Sequence, residues 1–590
     1  MPEGYGQRPG SANQQKRDAP FVFRYSLSIK LLFFSMTTSL QVDSQTPSGY
    51  FQQANQFKLS GKLEEAVLAY RQCISLNPNF AWYHHNLGEV LALLSQWEEA
   101  DRAYQHACDL NPNSAFSYHN WGDVLEQQGK LAQALAAYRR AVEISPYYYE
   151  FHSSLGKALC LQGQLDEAIA SLQKAIELDE ESALPYQYLW EAFAKQGQVD
   201  EGLVYLRKAI ALNPGSSDLY LKLGEALQGK NEFAEALSSY RKGIQLNPDF
   251  YWLHYKLGTA LAAQGKLEDA IASYRKAADL EPGAAIVHHY LGHTLASMQR
   301  WEDAIVSYRQ TLEISPDAAV VYQHLGDALT RLGRWEQAVG AYRKSVEFDP
   351  NSLEAQDHLG FALYHLGQYD EAIRAYRKAL EVAPNSDVVN FHLGDALRQR
   401  GRVQPLQKDI DADLDAAVNC YRRSIELNPN NLEVCQKALE IKPDEPEWYL
   451  LFGKALAQQN QLEGAIAKGA SEAIAQYQKA IELDGKNGEA YRYLGDALAK
   501  LGRWDDAIDA YDRSVKVNPD DFMCYAGLGD VWLGKGMVES AIECYQNAIE
   551  LNPDLGEVYD KLGDSLAKVG RQKEASVSYR RGLEVKAKVS

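Results

Sequence analysis

Apolar and polar positions follow a helical rhythm along most of the chain. From Tyr251, the apolar residues Trp252, Tyr255, Leu257, Leu261 and Ala262 describe one helical stripe, with a spacing of three from Trp252 to Tyr255 and of four from Leu257 to Leu261, and Gly265 closes the run. Leu267, Ala270, Ile271, Tyr274, Ala277 and Ala278 form a second stripe, which stops at Pro282. Such spacing gathers apolar side chains on one face of a helix, whereas a strand would alternate strictly. Gly265 permits the left-handed turn that ends a helix, and proline cannot extend one. The pattern predicts two helices of roughly 14 residues, each about 21 Å long. Neither would hold alone in water.

The pair repeats every 34 residues. Proline marks it at Pro78, Pro112, Pro146, Pro214, Pro248, Pro282, Pro316, Pro350 and Pro384, and glycine at Gly88, Gly122, Gly156, Gly224, Gly258, Gly292, Gly326, Gly360 and Gly394. So strict a period means stacked units, which build a surface rather than one closed core. The predicted fold is all-α, an α–α superhelix or solenoid, and not the several globular domains that 590 residues would otherwise suggest. Gly258 and Ala270 remove bulk where the two helices cross, while Tyr274 and Ala277 fill the seam toward the next unit. One unit departs: Trp190 takes the glycine slot and Gly202 the alanine slot. That is the signature of volume compensation.

The beat also divides the chain. Residues 1–46 lack a sustained apolar period and are expected to be a disordered N-terminal extension. Residues 47–401 hold about eleven repeats; 402–443 an irregular insertion and a partial repeat completing the eleventh unit; 444–590 about four repeats with a C-terminal cap. Pro384 and Pro429 lie 45 apart, one unit plus eleven. The excess falls near Val403–Asp413, after a first-helix end expected at Gly401, and contains Pro405. Leu432–Lys442 has room for one helix, and the next unit carries eight extra residues in or beside Ala465–Ala473. A tolerated loop insertion is expected, with a hinge or protrusion as the alternative. Met36 is an alternative start. The apolar run Leu31–Met36 is too short to span a membrane and forms only a weak leader signal.

Charge narrows the partners. Seventy-nine acidic against 60 basic residues give −19, which disfavours nucleic acid and anionic membranes. The seven cysteines are scattered without a CxxC, so neither a disulfide framework nor a zinc site is expected, and a cytoplasmic location follows. His324, His358 and His392 recur once per unit, about 9–10 Å apart by helix-layer spacing, too far to share one ion. His289 and His293 make an i,i+4 pair without the glutamate of HExxH. No nucleophile elbow, phosphate loop or dinucleotide fingerprint occurs. No catalytic residue, cofactor or metal is expected.

The stretch from Gly326 to Pro350 resembles the tetratricopeptide repeat through Leu325–Gly326, Leu329, Ala338, Tyr342 and Pro350. About fifteen copies cover residues 47 to roughly 585. The resemblance implies a right-handed superhelix whose first helices line a concave groove for an extended peptide or partner helix. The array is also similar to the repeat arm of O-linked N-acetylglucosamine transferases, without any catalytic domain. On the family's pattern the groove would present Trp82, His85, Asn86, Glu89, Phe116, His119, Asn120 and Asp123 early, Trp252, Tyr255 and His289 in the middle, and Asp327, Asp395 and Asp496 later. Rigid aromatics supply contact area and carboxylates favour basic segments on a protein or peptide partner. The amide ladder of the transferase arms finds only Asn86 and Asn120; Lys222, Lys256, Tyr290, His324, His358 and His392 take its later places. The expected role is an interaction scaffold, with a non-catalytic targeting arm or a structural assembly subunit as alternatives.

Overall fold

A computed structural model describes residues 46–462 and 466–589. They form thirty-one helices and no strand: leading and trailing helices alternate along the chain, except for one single helix, Leu432–Ile441. The extension placed at 1–46 lies, except for its last residue, outside the described residues, as do Leu31–Met36 and Met36 itself. Two compact units divide at Met298/Gln299. In each, many leading helices of neighbouring repeats touch one another, whereas no successive trailing helices pack to that extent. Each unit therefore curves toward its leading helices.

The glycine beat has a steric cause. A Cβ built on Gly258 would lie 2.7 Å from the Tyr274 ring, and one on Gly326 would lie 2.4 Å from that of Tyr342. The tyrosine of the trailing helix thus seats on the glycine of its own repeat, sixteen residues earlier, and only its rim reaches the next unit: Tyr274 and Tyr290 are 6.4 Å apart. Leu172 fills the seat over Gly156. At the exceptional unit, a Cβ on Gly202 would meet Trp190 at 2.9 Å and Phe193 at 3.1 Å, so the large and small residues have exchanged sides.

The turn inside a regular pair takes a positive φ, supplied for example by Gly265 at 75°. Ser95, Asn231 and Gln299 hold the same turn position at 57°, 62° and 60°. Gly401 does not turn. The leading helix runs on to Val403, and the trailing helix begins at Gln407 and reaches Leu427. The eleven additional residues are therefore spent mainly on lengthening both helices instead of forming a loop. Glycine allows the left-handed turn without compelling it. The stop comes from Pro405, which forces Gln404 into an extended conformation (φ −68°, ψ 141°).

Leu432–Ile441 is a leading helix without its trailing partner. Lys437 pairs with Asp395 at 2.5 Å across 42 residues, the regular 31-residue reach of Lys222 to Glu191 plus the eleven inserted. Arg400 clasps Asp413 at 2.6 Å and Asp370 at 2.7 Å, holding the lengthened pair.

Candidate protein-binding face

The leading helices carry the candidate residues, and the structure sorts these into open and closed groups. In the first unit, Trp82 is 46% exposed and Phe116 41%. Trp82 stacks on His85 with ring centres 4.6 Å apart. Phe116 meets Tyr148 at 5.1 Å and Phe151 at 5.3 Å, both edge-on. A depression of about 290 Å³ opens beside Trp82, lined also by Phe80, Leu110, Asn111, Ser114 and Ser117.

His85, Asn86 and Tyr255 are instead buried. The Asn86 amide donates to the Trp82 carbonyl at 2.7 Å, so it is spent on its own helix. His85 Nδ1 lies 3.0 Å from Ser117 Oγ, and burial holds its pKa down to about 4. Tyr255 packs on Tyr274 and Tyr290, and burial raises its phenol. A large side chain at the fifth place of the helix reaches the next repeat, so packing claims it. His119 is half-closed, with Nε2 3.0 Å from Ser154 Oγ and Nδ1 3.3 Å from Asn120 Oδ1. Trp252 is partly buried against Tyr255, beneath Lys256 Nζ, and its indole N–H has no acceptor. His289 is half-buried beside Tyr290.

The recurrent acids are matched from within. The tyrosine hydroxyl of the same repeat donates to Asp123 at 2.8 Å, and in the second unit to Asp327 at 2.7 Å, Asp395 at 2.6 Å and Asp496 at 2.5 Å. Burial, then the facing carboxylate, raises Tyr138, Tyr342, Tyr421 and Tyr511. Burial also raises the Asp496 carboxyl. A cation from a neighbouring repeat completes many of these sites: Lys58 on Glu89, Lys222 on Glu191, Lys256 on Glu225 at 3.0 Å and His358 on Asp327 at 2.9 Å. The hydrogen bond to Asp327 raises the His358 pKa. At Lys222, Lys256 and His358 the expected amide ladder is therefore replaced by a basic side chain that faces the previous repeat's acid.

Two fastenings escaped the sequence reading although both left a signal. Tyrosine sits fifteen residues after the Asp in the Tyr–Asp repeats, save at Asp395 where the insertion intervenes, and both are lost together where Lys157 precedes Leu172. Histidine follows proline by six in four repeats, and its Nε2 lies 2.8–3.0 Å from that proline's carbonyl at His84, His152, His254 and His288.

Profiles of the tetratricopeptide repeat match residues 54–95, 122–163, 156–189, 412–431, 469–522 and 533–570. The chain is a tetratricopeptide-repeat solenoid. A profile of the C-terminal domain of cilia and flagella-associated protein 70 matches residues 186–390. Among solved structures, the solenoid is similar to MamA, at 26% identity over 29% of this chain and 92% of that one, TM-score 0.28. YrrB, described as a TPR protein with an unusual peptide-binding site, matches at 24% identity over 32% and 97%, TM-score 0.28. The Cut9–Hcn1 hetero-tetramer of the APC/C matches at 15% identity over 89% and 97%, TM-score 0.34. No curated protein matches. None of these matches ties the solenoid to the O-linked N-acetylglucosamine transferases. Among the described residues, no three or more His, Cys, Asp or Glu side chains gather in a metal-binding group, and no helix is long and apolar enough to cross a membrane.

Proposed function

We propose that this solenoid is a protein-interaction scaffold that holds segments of partner proteins against its leading helices. The observation carrying the reading is the exposure of Trp82, Phe116, Leu184, Val320, Val388 and Met523, all at the second place of a leading helix. Each unit curves toward these helices, so such side chains would meet a guest with little loss of their own freedom. The internally matched acids argue against a generally basic-seeking groove. Selection of peptides from a displayed random library on the full chain, followed by residue-level crosslinking, tests the reading. Crosslinks should gather on leading helices; none selected, or crosslinks on trailing helices alone, would refute it. With five of seven free cysteines buried and two partly so, we place the chain in the cytoplasm, to be checked by localising a fluorescent fusion.

A further inference from the structure

The second places of the leading helices in the first unit follow the 34-residue step: Trp82, Phe116, Glu150, Leu184, Asp218, Trp252 and Ile286. Their chemistry runs apolar, apolar, acid, apolar. The depression beside Trp82 is lined only by uncharged residues, so it suits an uncharged side chain. Two steps along, Glu150 stands next to Tyr148 and Phe151, the pair that packs on Phe116. It differs from the other acids of this surface. Lys58, Lys157, Lys222 and Lys256 are taken by Glu89, Glu126, Glu191 and Glu225, and Lys222 also reaches Asp218 at 3.5 Å. Glu150 has no ion-pair partner among the described residues.

Packed helices lie about 8–10 Å apart. A polyproline II chain advances about 9.3 Å in one three-residue turn. One turn of such a guest therefore matches one step of this surface. Resting on the scaffold reading, we infer that the first unit selects an extended protein segment with large apolar side chains three residues apart, a lysine or arginine three residues further on, and another apolar side chain after three more. The first apolar group fills the depression at Trp82, the second lies on Phe116, the cation meets Glu150 and the last covers Leu184.

The probe is a fluorescent thirteen-residue synthetic peptide in a proline-rich background, with leucine at its second, fifth and eleventh positions and lysine at its eighth. Titrated against the full chain, it should bind more tightly than a scrambled peptide or one with a four-residue period. Trp82→Ala should weaken it roughly tenfold. Glu150→Lys should weaken it by a similar factor and favour the peptide carrying glutamate at the eighth position, a reversal that mere loss of packing would not produce. Circular dichroism confirms that each variant is folded. Equal binding of the scrambled peptide, or an affinity unmoved by Trp82→Ala and Glu150→Lys, overturns this inference and leaves the scaffold reading standing. Binding that appears only after residues 1–45 are removed makes the chain's own N-terminal segment the occupant and overturns it as well. If neither this probe nor any library peptide binds, both readings fall.

Discussion

Trp190, Gly202 and Leu206 are the sharpest place to test how this solenoid packs. The next repeat has the usual arrangement: Tyr240 seats on Gly224, with Ala236 alongside. In the exceptional repeat the tryptophan, 9% exposed, fills the glycine slot, glycine faces it, and fully buried Leu206 replaces the tyrosine. Trp190→Gly alone should cost about 3–5 kcal/mol, because the indole leaves a void that helices can only partly close. Leu206→Tyr alone should cost about 1–3 kcal/mol, since the ring has no glycine to rest on. Gly202→Ala drives a methyl to 2.9 Å from the indole, offsetting the roughly 1 kcal/mol that alanine gains over glycine in a helix. Combined, the three substitutions rebuild the ordinary seat and should return to within about 1–2 kcal/mol of the parent. Guanidinium unfolding should be read together with amide exchange over Ala183–Leu212, because repeat arrays open segment by segment. A triple variant equal to the sum of its singles within about 0.5 kcal/mol would refute volume exchange.

Three further outcomes follow from individual contacts. Ser95→Gly relieves a left-handed backbone at φ 57° and should raise the melting temperature modestly, worth about 0.5–1 kcal/mol, as measured by calorimetry. Tyr342→Phe deletes the hydroxyl donor to Asp327 and should cost about 1–2 kcal/mol; Asp327→Asn in the same chain should then add less than it does alone, as a double-mutant cycle would show. Buried neutral His85 binds its proton only near pH 4, while an unfolded histidine does so near 6.5. Stability should therefore fall as pH drops from about 6.5 toward 4, by at most roughly 3 kcal/mol. Denaturation at stepped pH should find that slope reduced in His85→Gln, and an unchanged slope would clear His85 of the effect.

Where the sequence was readable, the reason was steric. The glycine and proline beat records helix crossings and turns that admit few other residues, so pairing, period and even the Trp190–Gly202 exchange could be read from residue volumes. Where glycine merely permits, reading fails: Gly401 is helical, and Pro405 stops the helix instead. The candidate face was harder. His85 and Tyr255 occupy the same place in their helices as half-open His119, and only the neighbouring repeat decides which are enclosed. The acids of the repeated Leu-Gly-Asp looked available for a partner because their tyrosine donors lie on another helix, fifteen residues on, outside any local pattern. At Asp395 the insertion stretches that distance to 26 residues.

The short reach of the ties between repeats has a consequence for how such a chain can change its length. Glu191 holds Lys222 and Arg207 holds Glu235, each only one repeat away. Excising residues 217–250 would bring Lys256 into the place of Lys222 and Asp269 into that of Glu235, so both junctions would close with the same charges. Whole modules can be lost or duplicated here without inventing a new joint. Any event that is not a multiple of the unit must be absorbed on the spot, as the Arg400 clasp and the unpaired helix at Leu432–Ile441 do.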